Sequence, residues 1–347
     1  MKTHQNIVLY IVILAGMLSS CLITDQIGSV SVEVMKPASF TIPNTVRTVA
    51  FYKRDKYQSD TFKIGYISAE KVFIDTTVRY SQLSNKCVDA AADYISKNGN
   101  FEQVNNYRDS LNIFIYGPSS DDSRRILTEK SKADLLIFLD YFHLNSAILD
   151  LGTETLFHTT PLMRWTISLK NASNVYYLDQ KDTLQFNSQN FNLSDLKNKR
   201  SGKILEKCAG IEGEYFGSKL LPSWITVSRM YYKSNNTEML KAEKLALKNN
   251  WREAAEIWNT MAKSKNAHIA AKAKFNMALA CEMEGHPDLA IEWITKSYIE
   301  FNENDEQHKA NCQRYINVLA LRKKEIAKLE KQVFVLKAND SLLTTPQ

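Results

Sequence analysis

Residues 133–142 read ADLLIFLDYF, and residues 163–178 read MRWTISLKNASNVYYL. The first stretch sets apolar side chains on consecutive positions from Leu135 to Leu139. That is too dense for a strand with one wet face and marks a central strand covered on both sides. In the second stretch Met163, Trp165, Ile167 and Leu169 alternate strictly. Asn171 to Asn174 then make a turn, and Val175 with Tyr177, followed by Leu184 with Phe186, read as returning strands. A sheet with a buried centre and an antiparallel meander therefore lies at the heart of the chain.

Upstream, Val30, Val32 and Val34 alternate with polar residues, and VRTVAFYKR (residues 46–54) is a second strand candidate. Leu83, Cys87, Ala91, Tyr94 and Ile95 have helical spacing and stop at Asn98-Gly99. Leu111 to Tyr116 reads as a short strand, and Asp121 and Asp122 start a helix carrying Arg124, Arg125 and Leu127. The expected fold class is α+β: an N-terminal α/β, sandwich-like sheet domain with packed helices, then an all-α C-terminal part. Past Leu193 only helices are expected. A basic run (Lys197, Lys199, Arg200, Lys203, Lys207) leads into one up to about Tyr215, and its charge is read as a solvated face. Pro222 is read as starting or kinking another that carries Trp224, Val227 and Tyr231.

The C-terminal half repeats itself. Ala242, Leu245, Asn249, Ala254 and Trp258 are matched 36 residues later by Ala278, Cys281, Gly285, Ala290 and Ile294. Each set spans two short helices. Small residues permit close helix crossing, and Asn249 or Gly285 can take the left-handed conformation between helices. The stretch FNMALACEMEGHPDLAIEWITKSY (residues 275–298) resembles a tetratricopeptide repeat, whose usual period is about 34 residues. It departs from that pattern where Lys274 stands near the family's lead Trp and Ala replaces its small Gly. The resemblance implies tetratricopeptide-like helical hairpins. A helix from about Asp305 to Lys337 follows as a cap. Its near-heptad seam (Tyr315, Leu319, Ile326, Leu329, Val333, Leu336) is interrupted by Arg322 and is read as packing within the chain.

The amino terminus carries an address. An apolar run of 11 residues, Ile7 to Met17, follows Lys2 and ends in Leu18, Ser19, Ser20 and Cys21. Such a run is too short to span a bilayer core of about 30 Å as a helix and fits the core of a secretory signal. The ending resembles a bacterial lipobox, in which the cysteine thiol accepts a diacylglyceryl group; two or more acyl chains anchor stably. Residues Leu22 to Asp25 lack the acidic cluster that marks surface export in some Gram-negative bacteria, which favours a periplasm-facing outer-membrane lipoprotein. The expected organisation is a signal at residues 1–20, a lipidated tether at 21–29, an α/β domain at 30–236, tetratricopeptide-like repeats at 237–303 and a capping helix and tail at 304–347.

The net charge of +6 over 347 residues is mild and implies no nucleic-acid partner. Besides Cys21, Cys87, Cys208, Cys281 and Cys312 sit in no CxxC or His-rich cluster, so no metal is expected; they read as small buried thiols, with Cys281 and Cys312 close enough on neighbouring helices to face each other. The chain has no HExxH, no GxSxG elbow and no phosphate-cradling glycine loop. Strand alternation would put Asp140 and His143 on opposite faces, a poor acid/base pair. No catalytic residue and no cofactor are expected.

Taken whole, VRTVAFYKR, ADLLIFLDYF, MRWTISL and LLPSWITVSRMYY make the chain similar to a Bacteroides-type family of Gram-negative lipoproteins of unknown function with a tetratricopeptide-like C-terminal segment. At the level of fold alone, the strand order also resembles curli-secretion and penicillin-binding-protein-activator lipoproteins. The expected function is a non-enzymatic, lipid-anchored envelope scaffold. It contacts the membrane through Cys21 and an envelope protein through its repeats. The alternative is an accessory subunit or activator of an envelope enzyme or secretion system, with a site near Asp140 and His143.

Overall fold

The structure, a computed structural model, describes residues 27–54, 62–66, 71–75, 78–108, 121–150, 154–170, 172, 174–187, 202–300 and 306–336. The signal at residues 1–20, Cys21, the Leu111–Tyr116 strand and Lys197, Lys199 and Arg200 of the basic run lie outside the described residues. The architecture is mixed α/β, with a sheet and C-terminal helices. Its strands are β1 (Ile27–Lys36), β2 (Thr48–Lys53), β3 (Phe62–Tyr66), β4 (Lys71–Asp75), β5 (Gln103–Asn106), β6 (Leu135–Asp150), β7 (Thr155–Leu169), β8 (Tyr176–Lys181), β9 (Leu184–Asn187) and β10 (Ser223–Tyr232). Its helices are α1 (Tyr80–Asn98), α2 (Asp121–Ser131), α3 (Gly202–Leu220), α4 (Thr237–Ala246), α5 (Trp251–Met261), α6 (Ala267–Met283), α7 (Pro287–Glu300) and α8 (Glu306–Leu329).

The chain forms two compact units: residues 35–224 with the segment from 326 onward, and residues up to 34 with 225–325. The first holds an eight-stranded sheet organised by β6. One edge of β6 pairs antiparallel with β7 along its length; the other pairs parallel with β2 through Leu135–Leu139, then with β3 through Ser146–Ile148. Leu135 to Leu139 are all fully buried, because alternate residues enter different cores. Leu135, Ile137 and Leu139 pack with α1 and α3; Leu136 and Phe138 pack with Leu127 of α2. Asp134 fixes the register at the start of the strand, its carboxylate accepting the backbone N–H groups of Arg47 (2.9 Å) and Thr48 (3.1 Å). On the main face, Trp165 stacks on Phe216 at 3.8 Å between ring centroids.

Helices α1 and α3 approach closely because Gly213 and Gly217 lack side chains. A Cβ at Gly213 would overlap the Cys87 carbonyl oxygen, and one at Gly217 would press on the Tyr94 side chain.

Three expectations change. Strands do not stop at Leu193, since residues 223–232 are β10, not a helix started at Pro222. Short strands β3, β4 and β5 occur without having been expected. The capping helix ends at Leu329 and gives way to a single 3-10 turn at Val333–Val335, short of Lys337. The unit boundaries also differ from those read in the sequence: residues 30–34 and 225–236 group with the helices.

Gly213→Ala is expected to lower unfolding free energy by about 2 kcal/mol or more, the scale of overpacking a close helix contact, whereas Gly210→Ala, where a Cβ meets nothing nearer than 3.8 Å, should be neutral or stabilising. Urea denaturation of the two variants measures the difference.

Candidate functional site

Within the second unit, α4 to α7 follow one another through short turns. The turns that close α4 after Ala246 and α6 after Met283 are built alike. Asn249 (φ 63°) and Gly285 (φ 80°) both adopt the left-handed conformation. The next N–H, of Asn250 or His286, donates to the carbonyl five residues back, Leu245 at 3.0 Å or Cys281 at 2.8 Å. The N–H groups of Asn249 and Gly285 donate to Ala246 and Glu282, completing the Schellman pattern twice, 36 residues apart. The matched residues also share their burial. Ala242 and Ala278, Ala254 and Ala290, and Trp258 and Ile294 are all fully buried, and Leu245 and Cys281 join the same core.

An amphipathic helix has one wet face, but α6 is buried on every side along Phe275–Glu282. The extra cover is β10, which pairs with β1 as a two-stranded ribbon and brings Tyr231 and Tyr232 into the helical core beside Val32 and Val34. One side chain secures the strand. Asn276 Oδ1 accepts the backbone N–H of Tyr232, and Asn276 Nδ2 donates to the carbonyl of the same residue, each at 2.8 Å. The pairing satisfies two backbone groups that burial would otherwise leave unpaired. The Tyr232 hydroxyl is gripped in turn by Asn311 Nδ2 at 2.9 Å and by His308 Nδ1 at 3.0 Å. Three residues before, Arg229 makes a bidentate ion pair with Glu282, with contacts of 2.7 to 3.1 Å, and Tyr315 donates its hydroxyl to the same carboxylate at 2.7 Å. Burial, and then the Glu282 charge, push the Tyr315 hydroxyl well above its ordinary value, which keeps it a donor.

A second cluster looks catalytic by residue type. His308 Nε2 lies 3.3 Å from Cys312 Sγ and 3.2 Å from Ser297 Oγ. A nucleophilic cysteine needs a depressed thiol pKa and access. Here all three side chains are fully buried, burial raises the Cys312 thiol to about 12, with only partial opposition from Ser297, and Ser297 Oγ donates to the Ala271 carbonyl. The cluster ties α6, α7 and α8 together. Cys281, Cys312 and Cys208 are free buried thiols, and Cys87 is buried with its thiol on Met163 Sδ at 3.6 Å.

The Asp140–His143 pair fares no better as an acid/base site. A β-bulge between Leu139 and Tyr141 breaks the alternation; Leu139 and Phe142 enter the same core, so the opposite-face argument does not run through this stretch. Asp140 is bound by Arg54 and by the Thr166 hydroxyl, while His143 stacks against Tyr80 at 5.5 Å, where burial lowers its pKa. A depression of about 440 Å³ lined by Pro43, Asp134 and Lys170 lies where β6 begins, the opposite end from the strand carboxyl ends where parallel sheets bind ligands. Among the described residues there is no group of three or more His, Cys, Asp or Glu able to hold a metal.

One unit is a mixed α/β sheet, and the other is a helical array that clasps a strand. A model of a domain of unknown function, DUF8603, matches residues 41–232, more than half of the chain, and the chain belongs to that family. A second domain of unknown function, DUF6340, matches residues 240–321, which hold most of α4, all of α5 to α7 and most of α8. Comparison with curated proteins gives no match.

Asn276→Ala should lower unfolding free energy by about 3 kcal/mol, because it strands a buried N–H and a buried carbonyl together. Gly285→Ala should cost about 1 kcal/mol through its positive φ. Chemical denaturation checks both. Stability should also fall in alkali. Burial raises Cys208 and Cys312 to about 12 and Cys281 to about 11 from an ordinary 9.0. The folded value exceeds the unfolded one, so the contribution is complete below pH 9 and is lost as pH climbs toward 12. Cys312→Ala should flatten that slope in urea titrations across this range.

Proposed function

We propose that this chain is a lipid-anchored envelope scaffold without catalytic activity, whose helical unit is a pair of tetratricopeptide-like hairpins that binds protein. The observation that carries the reading is the Asn276 clasp. The central helix grips an extended segment through its backbone, the chemistry by which helical repeats hold peptides in a groove. In this chain the segment is its own β10, which the reading from sequence did not foresee. A partner is therefore assigned to the outer helix faces, where Ile299 (73% exposed) and Leu289 stand in water on α7, with Lys296 over the Trp293 ring at 4.9 Å. The doubled turn and the pairwise burial support the hairpin assignment. The commitment of Cys312, His308, Asp140 and Glu282 to internal partners supports the non-catalytic one.

The anchor rests on the sequence ending at Cys21. Metabolic labelling with palmitate should mark the wild type and not Cys21→Ser; an unlabelled wild type contradicts the anchor. For the scaffold, a photo-crosslinking residue at 299 in living cells should give a discrete adduct that Leu289→Glu abolishes, while one at exposed Ile126 of the sheet unit gives none. Equal adducts at both positions, or none at 299, contradict it.

A further inference from the structure

Helix α4 has a face that neither its core nor its ion pairs account for. Its buried side is Met239, Ala242 and Ala246. At 100° per residue, Leu240, Lys241 and Lys244 fall within one arc of about 100° opposite that side, and Leu247 and Lys248 follow in the turn that closes the helix, Leu247 keeping helical φ and ψ of −64° and −16°. Leu240 is 40% exposed and Leu247 is 52% exposed, and all three lysines are exposed. Among the described residues none of the three lysines is in an ion pair. The acids of the helix are elsewhere: Glu243 is taken by the Tyr231 hydroxyl at 2.8 Å and Lys233 at 3.7 Å, and Glu238 lies outside the arc in the first turn. Two leucines interleaved with three lysines, and no carboxylate between them, is the composition of a helix lying in the interface of an anionic bilayer. The leucines enter the acyl boundary and the lysine stems carry their charges up to the headgroups.

We infer that the outer face of α4 is a membrane-contact surface for anionic phospholipid. The inference deepens the anchored-scaffold reading and rests on it for placing the chain beside a membrane. A protein partner would have to bring its own carboxylates to this face; a phospholipid bilayer supplies charge and apolar depth together. β1 begins at Ile27, six residues after Cys21, so an extended tether spans only about 20 Å. The unit that contains both β1 and α4 is thereby held within reach of the bilayer surface.

The test uses the full acylated protein with an environment-sensitive fluorophore on Leu247→Cys, the four described native cysteines being buried. Flotation and probe emission are read with vesicles of phosphatidylcholine alone and with phosphatidylglycerol added. The expected result is flotation with both, and a blue-shifted, lipid-quenchable probe only on the anionic vesicles. The shift should be lost in high salt and in K241E/K244E/K248E, whose contact should be on the order of 100-fold weaker. Flotation with both while the probe stays in water overturns the contact surface and leaves the anchor standing. Flotation with anionic vesicles alone, probe buried, supports the surface and sinks the anchor. No flotation with either overturns both, and equal burial on neutral vesicles overturns the role given to the lysines.

Discussion

The helical unit depends on one constraint: an extended strand buried against helices must have its backbone satisfied. In a sheet the neighbouring strand does this. β10 has β1 on one side, and against the helices its N–H and carbonyl at Tyr232 meet the amide of Asn276, which presents one acceptor and one donor in the spacing a strand would offer. The first unit uses the same device. Gln332 Oε1 accepts the Ala38 N–H at 2.8 Å, and Gln332 Nε2 donates to the Ala38 carbonyl at 3.3 Å. In both units a carboxamide satisfies the N–H and the carbonyl of one buried residue, on strand β10 in one and just past the end of β1 in the other. The pairings are specific to register, since a shift of one residue would present a side chain to the amide instead of a backbone.

Around that constraint the remaining polar groups fall into order. Arg229 sits three residues before Tyr232 in β10, so it reaches the next part of α6 and pairs with Glu282. A buried ion pair adds little net stability over an apolar replacement, but breaking one partner leaves a costly buried charge. Its use here is to specify position, and Tyr315 from α8 completes it. His308, Asn311, Ser297 and Cys312 occupy the same junction. Their mutual contacts and complete burial make them the joint of three helices, however much the residue types suggest an active site.

What was legible in the sequence was local. The unbroken apolar run Leu135–Leu139 revealed a strand covered on both faces, and alternation from Met163 to Leu169 revealed its neighbour, because burial stamps its period directly on the residues it selects. Asn249 and Gly285 were legible because few residue types tolerate a positive φ. β10 was not. Trp224, Val227 and Tyr231 are spaced three and four apart, which imitates a helix, and Pro222 looks like a helix start; the β-branched run Ile225, Thr226 and Val227 was the contrary signal. Its pairing strand lies at the far end of the chain and its seat is a helix some 44 residues on, so nothing local could fix it. The clasp by Asn276 was illegible for the same reason: an asparagine inside a helix acquires meaning only from the strand laid across it. The Asp140 bulge likewise has no signature in an alternating pattern until the paired register is known.

Amide hydrogen exchange at Tyr232 tests the clasp most directly. Its N–H bonds to a side chain, not to a strand backbone, yet it should exchange as slowly as the amides in the middle of α6 and open only when that helix does. Rapid exchange of Tyr232, in step with the exposed residues Trp224 to Thr226 while α6 remains protected, would contradict the account: the strand would then be resting on the helices and not held by them.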